Sequence, residues 1–267
     1  MNRLIKSGLF VFLIFNHHAL FPQATDDNRK IVKVLTFNIL HGATTKGDYD
    51  LDIIADVIKR SDPDLVALQE VDYHTNRSRK YDLTMELAKR CNMVSLFGRA
   101  MYYDDGEYGE GILSKTTIIK SRNVPLPHSP GKEPRTALEI TTVIPSGDTI
   151  SFIGTHLDHT RDEFDRISQA HKINEVFADN THPTILAGDL NATPGSKPIS
   201  LLEKYWIATY DNENPAPTFP SKDPRVKIDY VMFYPKDRWK IIGTEVIKDE
   251  IASDHCAYSV TLVLVNR

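Results

Sequence analysis

The chain has little of what several whole classes of protein are built from. Cysteine is nearly absent: Cys91 and Cys256 are the only two in 267 residues, and they lie far apart. That excludes a disulfide-stapled mini-protein. No run of apolar residues reaches the roughly 18 that would cross a bilayer as a helix. There is no excess of positive charge, since 32 Lys and Arg face 36 Asp and Glu for a net charge of -4. A non-specific nucleic-acid binder normally carries a basic face, so this balance argues against one. Internal repeats and low-complexity stretches are also missing. What is present is 41% hydrophobic and 25% charged residues, the composition of an ordinary globular chain long enough to bury its own core.

Residues 1–24 read as an export signal. Arg3 and Lys6 precede a short apolar run from Gly8 to Phe15, Ala24 offers a small residue for cleavage, and the polar stretch TDDNRK follows. The alternative is a buried N-terminal strand or helix. No Cys follows the run, which argues against a lipoprotein anchor. The expectation is an exported protein, periplasmic or secreted from a bacterial envelope, with residues 25–267 forming one domain.

That remainder alternates strand and helix signals. Ile31 to Asn38 is a β-branched run, and Asp50 is placed to cap a helix carrying Leu51, Ile54, Ala55 and Ile58 on one face. Asp62-Pro63-Asp64 stops it. Leu65 to Gln69 reads as a short buried strand, residues 81–91 as a helix, and Gly111 to Leu113 as a strand after a loop spelled YYDDGEYGE. Ala137 to Val143 and Thr149 to Thr155 form a hairpin. A long helix opens at Asp162 with Phe164, Ile167, Ala170, Ile173 and Phe177 inward. Strands follow at Thr184 to Ala187, Lys227 to Phe233, Lys240 to Val246 and Ala257 to Val265. The irregular stretch Asp211 to Arg225 separates the first of these from the rest.

Six of these segments end in polar residues: Asn38, Glu70, His156, Asp189 with Asn191, Asp229, and Asp254 with His255. Each alone has an ordinary reading as a turn former, a cap, a packed histidine or half of an ion pair. Together, at strand ends where loops splay apart, they point to one site. Asn38, Glu70, Asp189, Asn191 and Asp254 offer the oxygen ligands that a hard cation such as Mg²⁺ takes. The histidines offer proton transfer and hydrogen-bond donation near neutral pH. No Cys stands among them, against a thiolate zinc or iron–sulfur centre.

The ordered set TFNI, LQEVD, YGEGILS, THLD, GDLN, IDYV and SDH resembles the endonuclease/exonuclease/phosphatase family of DNase I-like phosphoesterases, from about Ile31 to the C-terminus. The resemblance implies a four-layer α/β sandwich, two packed mixed sheets flanked by helices, with the site on the loops at one edge. It implies Mg²⁺, or Mn²⁺, held by Asn38 and Glu70 with Asp254 completing the shell. It implies that Asp189 orients or deprotonates the attacking water, that Asn191 binds the scissile phosphate, and that Asp229 and His255 form an Asp–His pair. His156 resembles a second phosphate-contacting or leaving-group histidine. Whether Asp189 or His255 is the base stays open at this level.

The substrate is less legible. Arg77, Arg79 and Lys80 follow the metal glutamate and suit a second phosphate or a polar head group, or else form a solvated basic loop. Tyr108 sits in a loop whose tyrosines suit stacking and whose acids suit no polyanion. Arg135 resembles a phosphate-contacting arginine, with a salt bridge as the alternative. Arg166 and Gln169 read as structural; His41, His159 and His171 as surface or supporting residues. The wording of THLDH and EVDYHTNRS is similar to the bacterial branch near sphingomyelinase-like and glycosylphosphatidylinositol-remodelling proteins. The expectation is therefore a metal-dependent phosphodiesterase or phosphatase on a small or lipid-linked ester. A secreted nuclease and an inactive binding protein of the same fold are the alternatives.

Overall fold

The computed structural model describes residues 30–266. The predicted leader lies outside the described residues.

The chain runs β1 (Ile31–Asn38), α1 (Leu51–Ser61), β2 (Leu65–Tyr73), α2 (Leu83–Cys91), β3 (Val94–Tyr103), β4 (Gly106–Ser114), β5 (Ile118–Leu126), β6 (Arg135–Val143) and β7 (Thr149–His156). It continues α3 (Phe164–Phe177), β8 (Thr184–Asp189), α4 (Lys197–Leu202), β9 (Ile207–Ala208), β10 (Asp229–Tyr234), β11 (Trp239–Ile247) and β12 (Ala257–Leu264). The strands form two six-stranded mixed sheets, ordered β11-β12-β1-β2-β4-β3 and β5-β6-β7-β8-β10-β9.

The alternation of side chains along each strand dictates four layers. Inward residues such as Val32, Val34, Ile112, Ile140, Phe152, Ile185 and Val260 meet between the sheets. Outward ones on the first sheet, including Leu35, Phe37, Leu68 and Leu113, bury against α1 and α2. Those on the second, including Ile153, Leu186 and Met232, bury against α3 and α4. The expected sandwich is what forms. Asp50 caps α1 as its sequence suggests, accepting from Asp52 N at 3.0 Å and Ile53 N at 3.4 Å.

Four details differ from the sequence reading. Phe164, expected to face inward, opens α3 and is 69% exposed. Only from Asp165 onward does the helix settle on the sheet. Much of YYDDGEYGE is strand rather than loop, because β3 and β4 pair as a hairpin up to Tyr103 and Gly106. β3, mostly half-buried, and β5, mostly exposed, carry no fully buried apolar run to announce them. Helix α4, six residues opened by a Pro in its first turn, was not foreseen either.

Candidate active site

Backbone register brings the polar strand ends together. In the second sheet His156 pairs with Asp189 and Asp229 pairs with Asp189, so the three lie in one row across β7, β8 and β10. Gly188 makes this row possible: a Cβ there would lie 1.9 Å from Thr155 O. From the first sheet, Asn38 ends β1 beside Gln69 of β2. Glu70 follows in a bulge, where Leu68 pairs with Gly111 and Val71 with Gly109. Its φ is +57°, and Asn191 has φ +47°; both side chains are re-aimed at some backbone cost, as is common where geometry serves chemistry.

The side chains converge on the floor of a cavity of about 470 Å³. Asp189 is its centre. Its Oδ1 accepts from Asn191 N at 2.9 Å, and its Oδ2 stands 3.3 Å from Asn38 Nδ2, 3.4 Å from His156 Nε2 and 3.6 Å from His255 Nε2. Asn38 Nδ2 also donates to Glu70 Oε1 at 3.1 Å, and Ser253 Oγ donates to Asn38 O at 2.6 Å, tying the loop before β12 to β1.

The two histidines are held in opposite states. His255 Nδ1 lies 3.1 and 3.2 Å from the two Asp229 carboxylate oxygens. Burial opposes its charge, but Asp229 and then Asp189 outweigh it and raise its pKa to about 10, so the ring is a cation at neutral pH. His156 is fully enclosed; burial first, then the Arg135 charge, pushes its pKa well below the usual value. Arg135 Nη1 stands 3.1 Å from His156 Nδ1, and on the other side of the ring Nε2 stands 3.4 Å from Asp189 Oδ2 and 2.9 Å from Asn191 Nδ2. Burial raises Asp189 above the ordinary carboxylate range, against the pull of His255. Glu70 goes the other way: burial pushes it up, but His41, His156 and Asn38 overcome this and bring it to about 2.

A divalent cation fits beside Glu70. Asp254 lines the same cavity, and its pKa is raised by burial, although His255 opposes this, with the nearby Glu70 charge adding to the rise. Two carboxylates lining one cavity, with Asn38 bonded to Glu70, form a hard oxygen donor set. Among the described residues, Asp189, Asp229 and His255 also bring ligand-type atoms within 4.8 Å of one another. A protonated imidazole bonded to Asp229 is a poor ligand, so that trio suits hydrogen bonding better than metal binding.

Glu70, His156, Asp189, Asn191, Asp254 and His255 line this cavity, and Asn38 and Asp229 lie behind them, bonded to Asp189 and His255. Arg77, Tyr108 and Arg135 line the wall. Arg77 donates through Nε and Nη2 to buried Asp72 at 2.7 and 2.9 Å. Arg135 is buried, bridging Glu133, His156 and His159. Arg79 lies over the Tyr49 ring and Lys80 pairs with Asp105, so neither projects as a loose basic charge. Arg166 and Gln169 are structural: each bonds backbone around Asp158.

Sequence reasoning missed Glu133, set His41 and His159 aside, and counted Glu110 only among the loop acids that would repel a polyanion. The only signal for Glu110 was its place between two glycines. It stands opposite the Gln69-Glu70 bulge, 1% exposed, and neither carboxylate oxygen has a hydrogen-bond partner. Burial raises its pKa well above 4.5, against the pull of Arg135. A raised acid resists ionisation in the folded state, so its penalty is absent below about pH 4.5 and grows as pH rises. In Glu110→Gln the loss of melting temperature between pH 6 and 8.5 should shrink by about 2–4 °C, the shift expected for about 1 kcal/mol in a domain of this size. Melts across that range check it; an unchanged slope would show Glu110 ionised without cost.

A model of the Endonuclease/Exonuclease/phosphatase family matches residues 35–255. Solved structures with the same fold include an endonuclease/exonuclease/phosphatase from Beutenbergia cavernae DSM 12333, at TM-score 0.74 and 23% identity over 88% of this chain and 72% of that one. A mannosyl-6-phosphatase from Bacteroides thetaiotaomicron VPI-5482 superposes at 0.70 and 19% identity, over 87% of this chain and all of that one (100%). The human Nocturnin catalytic domain, with a bound sulfate anion, superposes at 0.69 and 17% identity over 90% and 96%. With the match spanning nearly the whole described chain and the polar strand ends gathered at one sheet edge, the protein belongs to the endonuclease/exonuclease/phosphatase family.

Proposed function

We propose that the protein is a divalent-metal-dependent phosphoesterase that cleaves a small phosphate ester, or a lipid-linked one, by attack of water. One observation carries this reading: a buried carboxylate with a raised pKa, Asp189, and a histidine held cationic, His255, stand 3.6 Å apart beside an ionised Glu70 on the floor of one cavity. An acid and a base whose environments push their pKa values apart divide the work of hydrolysis.

Glu70, Asp254 and Asn38 hold the cation, Mg²⁺ or Mn²⁺. When bound, it supplies Lewis-acid stabilisation of charge on the phosphate. Asp189 orients the attacking water and accepts its proton, a task its raised pKa favours over an ordinary carboxylate. His255, fixed by Asp229, donates from Nε2 to a phosphoryl oxygen as negative charge gathers there. The Asn191 amide supplies a second donor. His156 is neutral and stands 3.4 Å from Asp189 Oδ2, helping to hold that carboxylate in place. Arg135 holds the His156 ring from behind, as a positioning residue.

A small substrate suits the surroundings, in which most basic side chains near the cavity are engaged by acids. The structural relative described as a mannosyl-6-phosphatase supports the same direction. Export remains part of this proposal, on the strength of residues 1–24. The test is a panel of phosphate mono- and diesters, sphingomyelin, plasmid DNA and RNA, each with Mg²⁺, Mn²⁺ or EDTA. Hydrolysis of a small or lipid ester, lost with EDTA, is expected. Strong nucleic-acid cleavage without small-ester turnover would overturn the substrate class.

A further inference from the structure

A second cavity of about 600 Å³ adjoins the first. It is built on the tip of the β3–β4 hairpin and the end of β2, with Tyr73, His74, Tyr102, Tyr103, Asp104 and Asp105 in its wall. Tyr103 lines both cavities, which places the second beside the first.

The aromatic rings here are each backed by a neighbouring side chain. Tyr102 is 74% exposed and Tyr103 40%. The Arg99 guanidinium lies 4.2 Å from the Tyr102 ring centre, and that of Arg77 lies 4.6 Å from Tyr103. Arg77 is itself pinned by two bonds to buried Asp72. Tyr73 stacks on Phe97 with centroids 4.9 Å apart and planes 13° from parallel. Rings fixed in this way offer a flat apolar surface at small entropic cost.

The charges between the rings narrow the choice of ligand. Lys80 pairs with Asp105, Arg99 with Glu107 and Arg77 with Asp72. Asp104 is held instead by the Arg77 backbone N–H at 2.7 Å and the Asn76 amide at 3.2 Å, so one carboxylate is left over without a basic side chain. A second phosphate would meet that surplus negative charge, which disfavours a nucleic-acid strand. A quaternary ammonium would compete with guanidinium groups already stacked on Tyr102 and Tyr103. What fits is an uncharged ring bearing hydroxyls. Its C–H face lies on tyrosine, while Asp104, Asp105 and His74 supply oriented hydrogen-bond partners for the hydroxyls.

We propose that the tyrosine-walled cavity is the leaving-group subsite and takes a polyhydroxylated six-membered ring, pyranose or cyclitol, from a phosphate ester whose phosphate sits over Asp189. This rests on the phosphoesterase reading above.

The test has a hydrolysis arm and a binding arm. In the first, phosphate release is measured from a hexose 6-phosphate and a cyclitol phosphate against ethyl phosphate, with the methyl diesters of the same alcohols run in parallel. The preference for the ring ester, as a ratio of kcat/KM, should fall about tenfold in Tyr102→Ala and in Asp104→Asn, mainly through KM, as loss of one stacking or charged hydrogen-bond contact predicts. Tyr205→Ala, an exposed tyrosine after α4 and outside both cavities, should keep the ratio. Which ring ester is preferred separates sugar from cyclitol. Equal turnover of ring and ethyl esters, an undiminished ratio in both variants, or a Tyr102-dependent preference for phosphocholine or a dinucleotide would overturn the subsite. In the second arm, methyl mannoside and inositol are titrated into the protein while its tyrosine resonances are followed by NMR. Shifts in the parent that vanish in Tyr102→Ala support the subsite even if no ester is hydrolysed, in which case only the phosphoesterase reading has failed. No shift with either alcohol at tens of millimolar, while esters are hydrolysed, overturns the subsite alone.

Discussion

Glu70→Gln is expected to lower kcat/KM by about 10²–10³ and, because the folded protein favours the ionised carboxylate, to lower the melting temperature of the metal-free protein at neutral pH by several degrees without unfolding it. The reason lies in how the carboxylate is held. Its φ of +57° comes from the bulge between Leu68 and Val71, and Gln adopts that region no worse than Glu. The Asn38 amide still finds an oxygen at this position, so the local hydrogen bond survives. What is lost is a negative charge kept ionised down to about pH 2, and with it the strongest donor in the set with Asp254 and Asn38. A second readout separates metal binding from chemistry. Mg²⁺ or Mn²⁺ at 100 times its Kd should stabilise the parent by about 2.7 kcal/mol, since it binds only the folded chain. The variant should show little of that rise, and EDTA should reverse it in the parent. If Glu70→Gln kept both the metal-induced rise in melting temperature and the metal dependence of turnover, the cation would have to sit elsewhere.

Much of this architecture was legible because the strands that carry the site are buried on both faces. β1, β2, β7 and β8 read as short apolar runs, and each run ends on the polar residue that reaches the cavity. The outer elements were less legible for the same physical reason. β3 and β5 lie at sheet edges, so stretches such as Lys120-Ser121-Arg122-Asn123 have no core to satisfy and look like loop. Phe164 shows the converse error: helical spacing put it with Ile173 and Phe177, but the first turn of α3 projects past the sheet. At the site, residue types pointed to oxygen ligands and histidines, while the division of labour between His156 and His255 did not follow from them. It depends on Arg135 facing one ring and Asp229 the other, and both arrive from distant strands. Glu110 was invisible because an acid flanked by glycines looks exposed, whereas tight packing of β4 on β3 and α2 is what demands the glycines: a Cβ at Gly109 would lie 2.0 Å from Gly98 O, and one at Gly111 2.7 Å from Thr84 Cγ2.

Asp229→Asn should reduce turnover at pH 8 by about 10²–10³ and move the alkaline limb of the pH–rate profile to lower pH. In the parent, burial works against the His255 charge, and Asp229 contributes the largest opposing effect, giving a pKa of about 10. Asparagine keeps the shape and one acceptor oxygen but removes the charge, so burial regains weight and the ring loses its proton near neutral pH. Lowering the pH restores the imidazolium in the variant and recovers part of the rate, until Asp189 takes up a proton and ceases to act as base. Stability carries the same signature. Because the His255 pKa is raised from 6.5 to about 10, its contribution is fully present below about pH 6.5 and disappears as pH climbs through about 10. The parent should therefore lose stability over that window in which the variant loses less. The experiment also decides between the two candidate bases. If His255 were the base instead of Asp189, removing Asp229 would enlarge its neutral fraction at pH 7 and shift the acid limb downward, with the alkaline limb left in place. An NMR titration of His255 alongside the rate profile makes that distinction directly.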